Sequence, residues 1–144
     1  DARILSIYEG TSQLQVVAAI RGVIQGGYVN RLKEYEEVEL DPKFKAMNDK
    51  LIALREDFEK AFAKAESFGS TSPAFEFLSR RLVEIAGYLV ISHLLLIDAN
   101  NDEQFTSSAK IILHLADEKI SQRKTYIDNF TEDMIDEYKN ITSK

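Results

Sequence analysis

Cysteine is absent from the 144-residue sequence, and proline and glycine are rare, with two and six copies. Without cysteine, the chain has no disulfide framework, no thiolate zinc site and no cysteine nucleophile. Positive charge is also in short supply, because 18 Lys and Arg face 24 Asp and Glu and leave a net charge of −6. A protein that binds nucleic acid through its phosphates needs clustered cations, so no nucleic-acid partner is expected.

Long apolar runs and targeting signals are missing as well. The most apolar stretch, Tyr88 to Ile97, is well short of the roughly 20 residues that a membrane-spanning helix needs, so no transmembrane segment is expected. The first residues, Asp1 to Ile4, have neither the basic flank nor the apolar core of a signal peptide. We therefore expect a cytoplasmic location in a bacterium, or the mitochondrial matrix in a eukaryote.

The two prolines mark the beginnings of helices. Asp41-Pro42 and Ser72-Pro73 each place proline directly after a residue type that caps helices. Proline is favourable at the first helical position, because its missing N–H would have no helical acceptor there. A turn cluster ending at Asp102 and a capping sequence at Thr131 predict two further helix starts.

Apolar residues recur three or four positions apart in the segments that follow these starts, which is the period of a helix with one buried face. Beyond Tyr88 nearly every position is apolar, so the helix that begins at Pro73 is expected at the centre of the fold. No segment alternates as a strand does, and the sequence predicts an all-α fold, an antiparallel helical bundle of four to five helices. The predicted core contains Leu51, Leu54, Phe58, Leu78, Leu82, Ile85, Leu89, Ile112 and Leu115.

A helical pattern also runs from Gln13 to Leu32. On another face of this helix, Ala18, Gly22 and Gly26 lie four apart, which would let a second helix approach closely. The alternative is a locally weak helix that frays near Gly26, because glycine within a helix costs up to about 1 kcal/mol relative to alanine.

Charge divides the chain into two parts. Residues 1–36 carry no net charge, so the whole −6 lies in residues 37–144. Four glutamates between positions 34 and 39 straddle the junction and are interpreted as a solvated linker.

The ionisable side chains beyond residue 40 suggest no chemistry. His93 and His114 lie in apolar helical stretches and neither has a glutamate three residues before it, as a carboxylate-bridged metal pair would need. They are interpreted as satisfied core or edge histidines, and no metal site is expected. The basic clusters Arg80-Arg81 and Lys119, Arg123 and Lys124 are interpreted as solvated surface.

One motif is specific. The segment from Ile7 to Gln15 reads Ile-Tyr-Glu-Gly-Thr-Ser-Gln-Leu-Gln and enters a predicted helix. It closely resembles the Tyr-Glu-Gly-Thr-Ser-x-x-Gln segment of the acyl-CoA dehydrogenase family, and the resemblance covers about the first 25 to 36 residues. The alternative is an ordinary turn in which Thr11 or Ser12 caps the helix.

The resemblance implies a role for each residue of the motif. Glu9 would be the base that removes the α-proton of an acyl-CoA thioester, and Gly10 would let the thioester approach the backbone. In the family, the backbone N–H of this base helps to polarise the thioester carbonyl. Tyr8 would line the acyl pocket, and Thr11 and Gln13 match positions that contact FAD.

The resemblance also implies the organisation of the protein. Residues 1–36 would end the catalytic helical domain, and residues 37–144 would form a C-terminal helical extension, as in very-long-chain-type and some bacterial members. The chain would then be a C-terminal fragment, inactive alone, of an FAD-dependent enzyme that forms 2,3-enoyl-CoA. Electron-transfer flavoprotein would be the acceptor and the enzyme a homo-oligomer. The alternative is a non-catalytic helical module for dimerisation or partner docking.

Overall fold

Five helices account for most of residues 26–142, which are the residues that this computed structural model describes, with side chains to residue 137. No strand occurs among them, and the predicted all-α fold is confirmed. The helices are α1 (Gly27–Glu36), α2 (Lys45–Glu66), α3 (Pro73–Asn101), α4 (Thr106–Asp128) and α5 (Asp133–Thr142). Short connections join consecutive helices, and α3 and α4 run antiparallel because only four residues separate them.

The helix starts follow the local capping chemistry. The Ser72 hydroxyl accepts a hydrogen bond from the Phe75 backbone N–H at 3.1 Å, and α3 begins at Pro73 as predicted. Asp41 and Asp102 each accept a backbone N–H two residues ahead. Each of these two caps is followed by one turn of 3-10 helix, so α2 and α4 begin three residues later than their cap sequences indicate.

The helix α3 is the central element. It packs against α1, α2 and α4, and fifteen of its residues are buried. It is also the one helix between residues 26 and 142 that is long and apolar enough to cross a membrane, but 61% of its most apolar window is buried inside the bundle. The core helix of a bundle meets the same criterion of length and composition.

Eight of the nine predicted core residues are buried, and Leu115 is the exception. On α4 the buried stripe runs through Ala109, Ile112, Ala116 and Ile120. Leu115 lies one residue off that stripe, so its side chain is only partly buried at the edge of the core.

The helix α1 begins directly after a glycine with a left-handed backbone conformation. Gly26 has φ +75°, a left-handed conformation that a right-handed α-helix does not contain. The helical pattern predicted to continue into Leu32 is therefore interrupted at Gly26, while residues 13–25 lie outside the described range. Leu32 is fully buried against α2 and α3, so α1 packs on the helices that follow it. The boundary at residue 36 stays a prediction.

Candidate functional site

The residues predicted to carry the chemistry precede the described range. Tyr8, Glu9, Gly10, Thr11 and Gln13 all lie before residue 26, and their roles stay predictions. Between residues 26 and 142, no group of three or more His, Asp or Glu side chains could hold a metal ion. Two other clusters of charged side chains stand out in that range.

The first cluster is buried and joins α1 to α2. The Arg55 guanidinium lies between two carboxylates, with its Nε 2.6 Å from Glu36 and its Nη1 2.5 Å from Glu59. The side chains of Arg55 and Glu36 are only 11% and 9% exposed. Burial by itself disfavours the charged form of Arg55, but the hydrogen bond and charge of Glu36, with the charges of Glu59 and Glu56, outweigh it and raise the pKa of Arg55 above its ordinary value.

The connection after α1 is fixed at both ends. The interpretation of the acidic run from Glu34 to Glu39 as a solvated linker is wrong for Glu36, whose side chain is nearly buried at the end of α1. Glu37 and Glu39 are exposed as expected. The Asn48 side-chain amide donates to the Glu36 carbonyl at 3.1 Å. At the far end, Asn100 accepts from the Asp41 backbone N–H at 2.7 Å and donates to the Glu39 carbonyl at 3.2 Å. The backbone polar groups of the connection therefore bind two helices of the bundle.

His93 of α3 lies beside this buried cluster. Its ring centroid is 5.8 Å from that of Tyr35, and its side chain is buried. Burial, and after it the positive charge of Arg55, lower the pKa of His93 from 6.5 to about 4. The interpretation as a satisfied histidine is wrong in one respect, because its Nε2 has no hydrogen-bond partner in the described part of the chain. His114, by contrast, is exposed.

The second cluster is an open cleft of about 830 Å³ between α3 and α4, which we call the arginine groove. Glu84 holds two arginines there. Its carboxylate accepts a short hydrogen bond from Arg123 Nε and lies 3.5 Å from Arg80 Nε. The groove is lined by Glu76, Phe77, Arg80, Arg81, Glu84, Gln122, Arg123 and Tyr126.

Arg81 also lies in the groove, and it forms no ion pair with a carboxylate of the described residues. Its guanidinium carbon lies 3.8 Å from the centroid of the Tyr126 ring and 5.4 Å from that of Phe77. The interpretation of the two basic clusters as solvated surface holds for Arg80, which is exposed. It did not foresee that Arg80, Arg81 and Arg123 converge on one open cleft. The signal in the sequence was the spacing of Phe77 and Arg81, four residues apart on one helical face. This spacing alone does not predict the groove, because the other wall is a face of α4 that the sequence does not identify.

The comparisons with known proteins concern the same residues as these clusters. The family model for the acyl-CoA dehydrogenase C terminal matches residues 24–135. Among solved structures, the chain is similar to an acyl-CoA dehydrogenase family protein from Porphyromonas gingivalis, with 30% identity and a TM-score of 0.73. That similarity covers 79% of this chain and 98% of the other. Among curated proteins, none matches.

Proposed function

Because the chain belongs to the acyl-CoA dehydrogenase C-terminal family, we propose that it is the C-terminal part of an FAD-dependent enzyme that oxidises an acyl-CoA thioester to the 2,3-enoyl-CoA. One observation carries this proposal. The family match begins at residue 24, whereas the motif that resembles the catalytic segment ends at Gln15. Two separate stretches of the chain therefore indicate the same enzyme family.

Glu9 has the central role in the proposed reaction. Its carboxylate accepts the proton on the carbon next to the thioester carbonyl, and a carboxylate in that role needs surroundings that exclude water and raise its pKa. Gly10, having no side chain, leaves room for the thioester against the backbone. FAD, when bound, supplies the acceptor for the hydride that leaves the next carbon. Thr11 and Gln13 would contact FAD, and Tyr8 would line the acyl pocket.

The proposal also specifies the substrate, electron acceptor, oligomeric state and location of the enzyme. Its substrate is an acyl-CoA, its electron acceptor is electron-transfer flavoprotein, and the enzyme is a homo-oligomer in the bacterial cytoplasm or the mitochondrial matrix. The isolated chain should be inactive and free of FAD, because Thr11 and Gln13 alone offer too few contacts to hold the cofactor. FAD that copurifies with the isolated chain, or acyl-CoA oxidation by it, would contradict this.

The test of the chemistry is Glu9→Gln in the full-length enzyme. Glutamine keeps the size of the side chain but cannot accept the proton, so anaerobic flavin reduction by acyl-CoA should slow by about 10²–10⁴-fold. FAD content should not change. Glu37→Gln, at an exposed position after α1, is the matched control and should reduce flavin at the normal rate. Normal rates in Glu9→Gln would place the base elsewhere.

A second candidate function is self-association of the extension, and exposed apolar side chains on α3 and α4 favour it. Leu94 is 44% exposed and Ile111 62%. Counted from the Glu84–Arg123 pair at 1.5 Å per residue, they lie about 15 and 18 Å along their antiparallel helices, and therefore at nearly the same level. We call these two exposed side chains the apolar patch, and large apolar side chains exposed at one level of a bundle are candidates for a contact between copies.

Light scattering on the purified chain tests self-association. If the patch joins two copies, the chain should be a dimer, and Leu94→Glu or Ile111→Glu should make it a monomer. Ser121→Glu adds the same charge at another exposed position of α4 and should leave the dimer intact. A wild-type chain that is monomeric at high concentration would rule this candidate out.

A further inference from the structure

The arginine groove contains one guanidinium that forms no ion pair with the described carboxylates. Five arginines lie between residues 26 and 142, and four of them have a carboxylate within 4 Å. Arg81 is the exception among these five, and its guanidinium lies over two aromatic rings. We propose that the arginine groove binds a phosphate-bearing small molecule, with the Arg81 guanidinium as the principal donor.

The aromatic rings beneath Arg81 prepare it for this role. At 3.8 Å from the ring centroid, the guanidinium lies against the face of Tyr126. Phe130 packs against both Tyr126 and Phe77, at centroid distances of 6.2 and 5.6 Å, and is itself buried in the core. The platform is therefore fixed by the fold. A guanidinium is planar by itself, and one held against a ring has fewer orientations to lose when its N–H donors pair with two phosphate oxygens.

The neighbours of Arg81 add to the attraction. Arg80 and Arg123 share the single carboxylate of Glu84, so that pairing leaves one positive charge uncompensated. Glu76 also lines the groove and offsets part of the charge. Three guanidinium groups against two carboxylates give the lining a net charge of +1, on a chain whose net charge is −6. Arg80 is exposed and, at 3.5 Å from Glu84, beyond the distance of a strong charge-assisted hydrogen bond, so it can turn towards a ligand.

The size of the groove and the number of donors favour a small phosphate ester or a polyphosphate. A volume of about 830 Å³ lies within the usual range of small-molecule sites. A single carboxylate is satisfied by one guanidinium, whereas a phosphate has more oxygens and up to two negative charges, so it can engage Arg81 and Arg80 together. The acidic chain as a whole argues against a nucleic-acid strand as the occupant.

Calorimetric titration of the 144-residue chain with inorganic pyrophosphate, at constant ionic strength, tests the proposal. We expect saturable binding, and Arg81→Gln should weaken it by about tenfold or more, which is the loss of one charge-assisted contact. Arg31→Gln, an exposed arginine of α1 outside the groove, should bind as the wild type does. Succinate should bind more weakly than pyrophosphate. No binding of pyrophosphate, equal loss in both variants, or tighter binding of succinate would each overturn the proposal.

A second pair of variants leaves the aromatic platform intact. Gln122→Glu introduces a carboxylate at the exposed rim of the groove, and Ser121→Glu introduces the same charge one residue away, outside the lining. Repulsion of the phosphate should weaken binding several-fold in Gln122→Glu and much less in Ser121→Glu. Equal effects would show that only the overall charge of the chain matters, and would overturn a local site.

Discussion

Two places in the bundle pair arginine with glutamate, and they differ in how far water reaches them. In the buried cluster, Arg55 and Glu36 are almost fully enclosed between α1 and α2. In the arginine groove, Arg123 and Glu84 are each 24% exposed along an open cleft. The same pair of side chains therefore fastens one helix to another in the first case, and in the second leaves cations within reach of a ligand. Burial, more than residue type, separates these roles.

Breaking the buried pair should have the largest effect. Arg55→Met removes the cation and leaves Glu36 as an unpaired, nearly buried charge, which should lower the free energy of unfolding by about 3–5 kcal/mol. Chemical denaturation would measure the change. Arg31→Met removes an arginine from a pair in which both side chains are exposed, so it should cost less than about 1 kcal/mol. Similar losses in the two variants would contradict the contrast between buried and open pairs.

The loss of a buried apolar side chain from α3 gives a free energy of unfolding with which the two ion pairs can be compared. Leu82 is fully buried, so Leu82→Ala should cost about 2–5 kcal/mol through lost burial and the cavity that remains. Leu94→Ala, on the same helix but at an exposed position, should cost clearly less. A near-zero change for Leu82→Ala in urea unfolding would refute the assignment of α3 as the core helix.

The buried cluster should also make stability depend on pH. The pKa of His93 in the folded chain, about 4, lies below its unfolded value of 6.5, so the unfolded chain binds the extra proton first. Stability should therefore fall as the pH decreases from about 6.5 to about 4, by about 3 kcal/mol in all.

The pH effect is measured by comparing unfolding curves of the wild type and His93→Gln across that range. The variant is less stable at pH 7 if the buried amide packs poorly, but the part of the pH dependence due to His93 should disappear. Leu82→Ala, which lowers stability without removing a titratable group, should keep the shape of the wild-type profile. An unchanged profile in His93→Gln would mean that the histidine is not held neutral by its surroundings.

Breaking the pair in the arginine groove should lower the free energy of unfolding the least. Glu84→Gln removes a carboxylate that is partly exposed to water, and we expect a loss of about 1 kcal/mol or less. The same variant should strengthen pyrophosphate binding in the groove, because Arg80 and Arg123 are released from their shared partner. Glu118→Gln, exposed on α4, is the control and should change neither quantity. A loss as large as that of Arg55→Met would remove the distinction between the two clusters.

Local patterns in the sequence were sufficient for the helices and most of the core. Caps at Asp41 and Ser72 act within three residues, and a buried stripe repeats within one helix, so both can be identified without knowing the fold. The burial of Glu36 could not be predicted in this way, because it depends on Arg55, nineteen residues further along the chain. The arginine groove likewise depends on the register between Glu84 and Arg123, thirty-nine residues apart.

The candidate catalytic residues are a different case. Their roles come from the resemblance of residues 7–15 to a family motif, and the described structure begins at residue 26. The comparisons support the family from residues 24–135. They leave the role of Glu9 as a prediction, because no contact of Glu9 is among those described.

The two asparagine contacts restrict the number of residues that the connection after α1 can have. Surface connections usually accept insertions at little cost. Here Asn48 is hydrogen-bonded to the carbonyl of Glu36, and Asn100 is hydrogen-bonded to the backbone of Glu39 and Asp41. An added residue between positions 37 and 39 would therefore displace one of these two contacts. Related proteins should therefore vary in sequence at positions 37 and 38 while keeping the number of residues between the two contacts constant.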